Sequence, residues 1–254
     1  MNDKKSAYYP GYNILNEKQE ESKWGKLKTV YKEEGLVSLI KKITTYTIYR
    51  INYTIFKKFF ILDGKKYHYH INIYNSVISE RVVEIPFAKE FLLGKRGKSI
   101  LEIGNVLSHY FSVNHEIVDK YETYPYIIAV DIIDFNPGKK YDLIISISTI
   151  EHIGFDEPNR EKGKSKKAIL KIIDLLNNNG IAIITVPLGY NPEIDSIIVK
   201  NEISFTKKIF LERMSILNLW KETTMEDALK HKYAQKYPAA NSVAFLIYYR
   251  EGSL

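Results

Sequence analysis

The stretch Ser99–Tyr110, SILEIGNVLSHY, constrains the fold of this chain more than any other. Its apolar pair Ile100–Leu101 meets Glu102, then Ile103 and Gly104, and the polar Asn105 opens the next segment. A short apolar run bounded by turn residues reads as a buried parallel strand. Glycine turns a chain sharply because it adopts positive φ at no steric cost. In a doubly wound sheet, ligands bind at the carboxyl ends of the strands, beside the first one. The turn at Gly104 is therefore a candidate site centre, although an ordinary strand-to-helix turn has the same pattern.

Later stretches extend the reading. His115–Asp119 is a candidate second strand, Tyr126–Ile133 a third, Tyr141–Ser146 a fourth, and Ile181–Val186 a fifth, ended by Pro187. Two more are expected around Lys208–Arg213 and Ser242–Tyr249, with Trp220–His231 between them as loop and helix. Helices are expected at Phe87–Leu93, Val106–Val113 and Lys167–Leu176, the last closed by the Asn177–Gly180 cap signal. Pro86 is expected to stop the stretch before it, since proline continues neither a ladder nor a helix. Strands this apolar, alternating with helices, argue an α/β fold: a Rossmann-like, seven-stranded, mostly parallel sheet with helices on both faces.

The 254 residues are 45% apolar, enough for a large core, and contain no cysteine. Disulfides, thiolate metal sites and cysteine nucleophiles are excluded, and the usage fits a reducing cytoplasm. The six histidines (His68, His70, His109, His115, His152 and His231) form no HExxH pair, so no metal site is expected. The polar start, Met1–Gln19, reads as no signal peptide, and no transmembrane helix is expected.

The formal charge is +7, and the whole surplus lies in residues 1–95. Such a surplus fits an anionic partner, membrane surface or nucleic acid, or else a solvated basic face. Residues 35–60 carry Lys41, Lys42, Arg50, Lys57 and Lys58, no acid, and six aromatic residues. They read as a helix lying in a membrane interface or a helical cap packed on the main domain, with packing favoured. The β-branched run Ile43–Tyr49 keeps a strand open. The expected organisation is a basic, mainly helical extension over 1–95 and a main domain over 96–254. Asp63-Gly64 marks a turn.

With these stretches in order, the chain over roughly 96–254 resembles the class I S-adenosylmethionine-dependent methyltransferases. Leu101-Glu102-Ile103-Gly104-Asn105-Val106-Leu107-Ser108 is similar to the family's glycine-rich first motif, with Val106 and Ser108 where further glycines usually stand. Tyr141–Ser146 with Glu151-His152, and Leu175–Pro187, are similar to its fourth-strand and fifth-strand stretches.

The resemblance implies S-adenosylmethionine as cofactor and a cofactor group of Glu102, Gly104, Asn105, Asp119, Asp131, Ile132 and Ser148. Glu102 is expected to fix the cofactor's ammonium or order the loop, and exposed backbone N–H groups to favour its carboxylate. An acid ending the second strand would take the ribose hydroxyls. If Asp131 closed that strand, the third would have to fit around Asn136-Pro137-Gly138, which leaves no room. Asp119 is therefore assigned to ribose, and Asp131 with Ile132 to adenine; a plain surface acid remains open for Asp119. His152 is the candidate general base, with helix capping as its structural alternative. Tyr190 and Asn191 are candidates for the acceptor pocket, with the Tyr237–Asn241 loop to close over it.

The leading function is O-methylation of a small molecule or glycan, with a lipid-linked sugar near a membrane as one acceptor. An RNA methyltransferase is the alternative, against which 96–254 is charge-neutral. A non-catalytic module with a degenerate loop is the other. A nicotinamide dehydrogenase is disfavoured because G-x-G-x-x-G is absent.

Overall fold

A computed structural model describes residues 23–55, 58–71, 78–94 and 98–251. The expected loose terminus falls mostly outside these residues, as do Lys57 and the domain boundary placed near residue 95.

The sheet is built from β3 (Ile100–Ile103), β4 (Glu116–Asp119), β5 (Ile127–Ala129), β6 (Tyr141–Ile147), β7 (Leu176–Pro187), β8 (Lys207–Arg213), β9 (Trp220–Thr223) and β10 (Ser242–Tyr249). Its order is β5-β4-β3-β6-β7-β10-β8-β9. The first five are mutually parallel, while β10 runs antiparallel to both β7 and β8. The chain leaves β3 toward β4 and β5, then returns to the other side of β3 as β6. That reversal is the topological switch point of the sheet.

The sheet thus has eight strands, not seven. The additional one, β9, pairs antiparallel with β8 inside the stretch expected to be loop and helix. Its sequence, WKET, buries only Trp220 and leaves Lys221 and Glu222 exposed, so it lacks an apolar run. A hairpin holds it. β1 (Phe59–Leu62) and β2 (Lys65–His68) are joined by Asp63 and Gly64, whose positive φ values of 55° and 71° fit a tight hairpin turn. Asp63 N–H donates to Glu222 at 2.7 Å, and Trp220 N–H donates to the Tyr69 hydroxyl at 2.8 Å.

Each face of the sheet has its own core. On one, Leu143, Ile145, Ile147 and Phe245 pack with Tyr49 and Tyr53 of α1 (Lys23–Ile55) and with Val82, Val83, Ile85 and Phe87 of α2 (Arg81–Gly94). On the other, Leu101, Ile103, Ile144 and Leu246 pack with Ile169 and Ile172 of α3 (Lys164–Asp174) and Ile194 and Ile197 of α4 (Pro192–Val199). Ala228 of α5 (Met225–Leu229) joins this second core.

α2 corrects the reading of Pro86, which lies inside the helix rather than ending the stretch before it. A helical residue 86 would donate to the Val82 carbonyl, and proline has no N–H to give. His70 N–H, arriving from the hairpin, takes that carbonyl at 2.9 Å. The third strand and the helix after Gly104 are shorter than expected: β5 stops at Ala129, and Leu107–His109 is a single 3-10 turn.

α1 is helical on both sides of Gly35, which breaks it at φ 83° and ψ 173°. The inner face docks by tyrosines. Tyr53 donates to the Leu217 carbonyl at 2.7 Å and to that of Asn218 at 2.8 Å, and Tyr49 donates to that of Ile216. The outer face carries Leu36, Val37, Ile40, Ile48 and Ile51 in the open. Among the described residues no helix is long and apolar enough to cross a membrane.

Candidate active site

A cleft of about 420 Å³ opens at the carboxyl ends of β3, β4, β5 and β6. Its walls are the segments after those strands: Gly104–Val106, Asp119–Glu122, Val130–Ile132, and Thr149 with His152–Ile153 and Asp156–Glu157. Gly104 sits at φ 81° with Thr149 directly behind it, so a Cβ here would fall 2.3 Å from Oγ1 of Thr149. The glycine is required by close approach as well as by its dihedral.

The loop after β3 is tied down by acids. Glu102, fully buried, accepts from the N–H groups of Val106 at 2.9 Å and Leu107 at 2.7 Å, and its other oxygen meets Nε2 of His115 at 2.6 Å. Asp119 accepts from Asn105 N–H at 3.0 Å and from those of Tyr121 and Glu122 at 2.8 Å. Gly104 N–H goes to the Val118 carbonyl. The four N–H groups from Gly104 to Leu107 therefore have acceptors inside the protein. The expectation that they stand free for a carboxylate is corrected. Where glycines would leave the loop open, Glu102 and Asp119 order it. The Asn105 side chain spans to Glu122 and Ser108.

Asp131 follows β5. Its carboxylate accepts from Ile133 N–H at 3.1 Å, Lys164 at 2.7 Å and Lys120 at 3.0 Å, and both lysines also reach Glu157. Burial works to raise the Asp131 and Glu157 carboxyls, but the lysine hydrogen bonds outweigh it and hold both below their usual range. Burial works against the charge of Lys120 and Lys164, and the same bonds hold both above theirs.

Of the residues expected at the site, Gly104, Asn105, Asp119, Asp131, Ile132 and His152 line one cleft. Glu102 lies beneath it. Ser148 faces elsewhere, its hydroxyl donating to Glu84 at 2.6 Å. His152 is half-exposed, with Nδ1 against Asp156 and its ring edge-on to Tyr190 at 5.1 Å. Tyr190 donates to Asp156 at 2.5 Å. Asn191 is buried as the N-cap of α4, accepting from Glu193 N–H at 2.9 Å and donating to the Glu151 carbonyl at 2.8 Å. The sequence signal for that role is Asn191-Pro192 at a helix start.

Sequence reasoning missed a buried corner beside the cleft. Glu80, Glu84 and Glu151 are all buried, and Arg81 pairs with Glu84 at 2.6 Å. Burial raises the Glu80 carboxyl, and Glu84 adds to it; burial raises Glu151 well above its usual value. Burial likewise pushes the Tyr110 and Tyr233 hydroxyls up to about 12. Glu80 and Glu84 sit in a stretch with no chemical motif; only their folded position gathers them. Among the described residues no group of three or more His, Asp or Glu is arranged to hold a metal ion.

No protein-family model matches the chain, and no curated protein matches it. Solved structures do. The chain is similar to the N-methyltransferase NodS of Bradyrhizobium japonicum in complex with S-adenosyl-L-homocysteine, at 13% identity over 67% of this chain and 91% of that one, TM-score 0.41. It is similar to an S-adenosylmethionine-dependent methyltransferase from Clostridium acetobutylicum, at 12% identity over 66% and 90%, TM-score 0.35. A third is the glycopeptide N-methyltransferase MtfA complexed with S-adenosyl-L-homocysteine, at 9% identity over 63% and 87%, TM-score 0.32.

Proposed function

We propose that the protein is an S-adenosylmethionine-dependent methyltransferase acting on a small-molecule or glycan acceptor through a hydroxyl or amine nucleophile. One observation carries the reading. The segments after β3, β4, β5 and β6 converge on a single cleft at the switch point of the sheet, with an acid ending β4.

The residues present suit this cofactor. The cleft lies within the usual size of small-ligand sites, about 300–1,000 Å³. Asp119 keeps one unused acceptor site, on Oδ2, for a ribose hydroxyl beside its three backbone bonds. Val130 and Ile132 offer an apolar wall for a flat base. Asp131, already engaged by two lysines, positions Lys120 at the cleft rather than standing free as an acceptor. When bound, the cofactor supplies an electrophilic methyl group on a sulfonium. His152, at the cleft edge with Asp156 on Nδ1, is placed to move a proton between acceptor and solvent.

The same reading has the protein working against an anionic membrane surface. Leu36, Val37 and Ile40 of α1 are 57%, 81% and 55% exposed, and residues 35–60 hold five basic residues and no acid. An aliphatic face with Lys41 and Arg50 on the same helix, Lys42 being paired with Glu34, suits a membrane interface.

Calorimetric titration with S-adenosylmethionine and S-adenosylhomocysteine tests the cofactor reading. Saturable micromolar binding of both supports it. A folded protein that binds neither overturns it.

A further inference from the structure

The carboxylate of Glu151 is 1% exposed, and neither of its oxygens has a hydrogen-bond partner among the described residues. A buried carboxylate without a partner forfeits its hydration and gains nothing in return. It is also not alone. Glu80, Glu84 and Arg81 lie within electrostatic reach of it. Arg81 is committed to Glu84, Ser148 donates to Glu84, and Glu80 accepts from Ala240 N–H at 3.2 Å. Two guanidiniums, Arg81 and, on the Glu80 side, Arg213, thus serve three buried carboxyl groups, and Glu151 is the one without a hydrogen-bond partner.

Its surroundings are aromatic. Tyr190 and Tyr233 pack edge-on with centroids 4.8 Å apart, and both feel the Glu151 charge. Tyr110 is in electrostatic contact with Arg81, Glu84 and Glu80. Carboxylates together with tyrosine faces recognise an organic ammonium, which supplies the missing charge and N–H donors and is attracted by the rings. A neutral hydroxyl would satisfy an oxygen but bring no charge to hold the carboxylate ionised against its burial. Glu151 sits in the 3-10 turn Ile150–His152, whose N-cap Thr149 and last residue His152 both line the cofactor cleft, so this corner adjoins the cleft.

Resting on the methyltransferase reading, we propose that the acceptor atom is an amine nitrogen, docked as its ammonium against Glu151. The departure from the O-methylation expected from sequence follows from the unpaired acid. The acceptor ammonium gives one proton to the Glu151 carboxylate. The freed nitrogen lone pair then forms the N–C bond to the methyl group as the C–S bond breaks, its electrons staying on sulfur as a thioether. The product leaves as a methylated ammonium. Glu151 returns its proton to solvent through a bridging water and His152, whose Nε2 lies 3.7 Å from its Oε1. Burial raises the Glu151 carboxyl, which makes it the stronger base once ionised.

The test uses benzylamine and its neutral analogue benzyl alcohol, titrated at pH 7.5 into the full-length protein with and without S-adenosylhomocysteine. Binding of S-adenosylhomocysteine is read separately, so its failure counts against the methyltransferase reading and is not confused with failure of the amine site. Benzylamine is expected to bind saturably, at least tenfold tighter than benzyl alcohol. Glu151→Gln should weaken benzylamine at least tenfold with S-adenosylhomocysteine affinity unchanged. Equal affinity for the two probes, no saturable amine binding, or full affinity in folded Glu151→Gln each overturns the proposal. Should that variant not fold, the amine-to-alcohol ratio of the unaltered protein decides alone.

Discussion

Nε2 of His115 lies 2.6 Å from Oε2 of Glu102, both side chains out of water, while Oε1 of Glu102 holds the loop through two backbone N–H groups. One carboxylate at the end of β3 thus organises the loop that forms a wall of the cleft. Glu102→Ala leaves the Leu107 N–H and an imidazole nitrogen without a partner, while Val106 N–H keeps the Gly104 carbonyl at 3.0 Å. The cost should be about 3–5 kcal/mol, the range for breaking a buried pair. The expected outcome is a melting temperature lower by roughly 6 °C or more, with S-adenosylhomocysteine affinity reduced, read by thermal denaturation and calorimetry. A melt unchanged within a degree would show that the loop is held by something else.

Asp119, at the end of β4, holds the loop after β3 by accepting from Asn105 N–H and its own turn by accepting from Tyr121 and Glu122. Asp119→Ala removes this tie and the acceptor assigned to ribose together. S-adenosylhomocysteine affinity should fall at least tenfold, about 1.4 kcal/mol. Asp119→Asn retains one acceptor oxygen and should lose less. Equal affinities in all three proteins would remove Asp119 from the proposed cofactor site.

The Lys120–Asp131–Lys164–Glu157 network sets a limit toward acid. Both carboxyls have their folded values held below the ordinary 3.8 and 4.5. For an acid lowered on folding, stability is present above the unfolded value and lost as pH falls through the folded one. Chemical denaturation should therefore show stability falling below about pH 4.5. Asp131→Asn should make that fall shallower while lowering stability at pH 7. An unchanged acid slope in the variant would mean that other carboxyls carry it.

Asp195 behaves in the opposite sense. It accepts from Gly189 N–H at 3.1 Å, yet burial raises its carboxyl from 3.8 to about 6. A folded value above the unfolded one means that the stability contribution is complete below pH 3.8 and is lost as pH rises through about 6. Asp195→Asn keeps an acceptor for Gly189 and cannot ionise. Its melting temperature should exceed that of the unaltered protein at pH 8, and the difference should vanish near pH 4. A gain of equal size at both pH values would assign the effect to packing instead.

The central strands were legible because they are buried on both faces, so that continuous apolar runs such as Leu143–Ile145 mark them directly. β9 was not, because an edge strand of four residues with two exposed charges resembles a loop. Pro86 misled because the donor that satisfies Val82, His70, comes from another element. At the site, Asp119 and Asp131 could be placed by counting strands, since local order fixes strand ends. Glu80 and Glu84 could not. They precede the sheet in sequence and reach Glu151 only through the packing of α2 on β6.

The outer face of α1 yields the last prediction. The helix is held by Tyr49 and Tyr53, whose hydroxyls satisfy carbonyls in the segment before β9, so changes on the opposite face should leave it docked. Leu36, Val37 and Ile40 are exposed there, with Lys41 alongside and Lys42 paired with Glu34. Burying apolar side chains in an interface contributes roughly 1.5–3 kcal/mol for each one fully buried, and the basic residues add attraction that salt screens. The protein should co-sediment with vesicles of anionic lipid, less with neutral ones, and less at high salt. Replacing Leu36, Val37 and Ile40 together by serine should release it while leaving the melting temperature within a few degrees and S-adenosylhomocysteine binding intact. Sedimentation unaffected by the triple substitution would assign the membrane contact elsewhere. A dimer of the unaltered protein, lost in the variant, would show that a second copy covers this face.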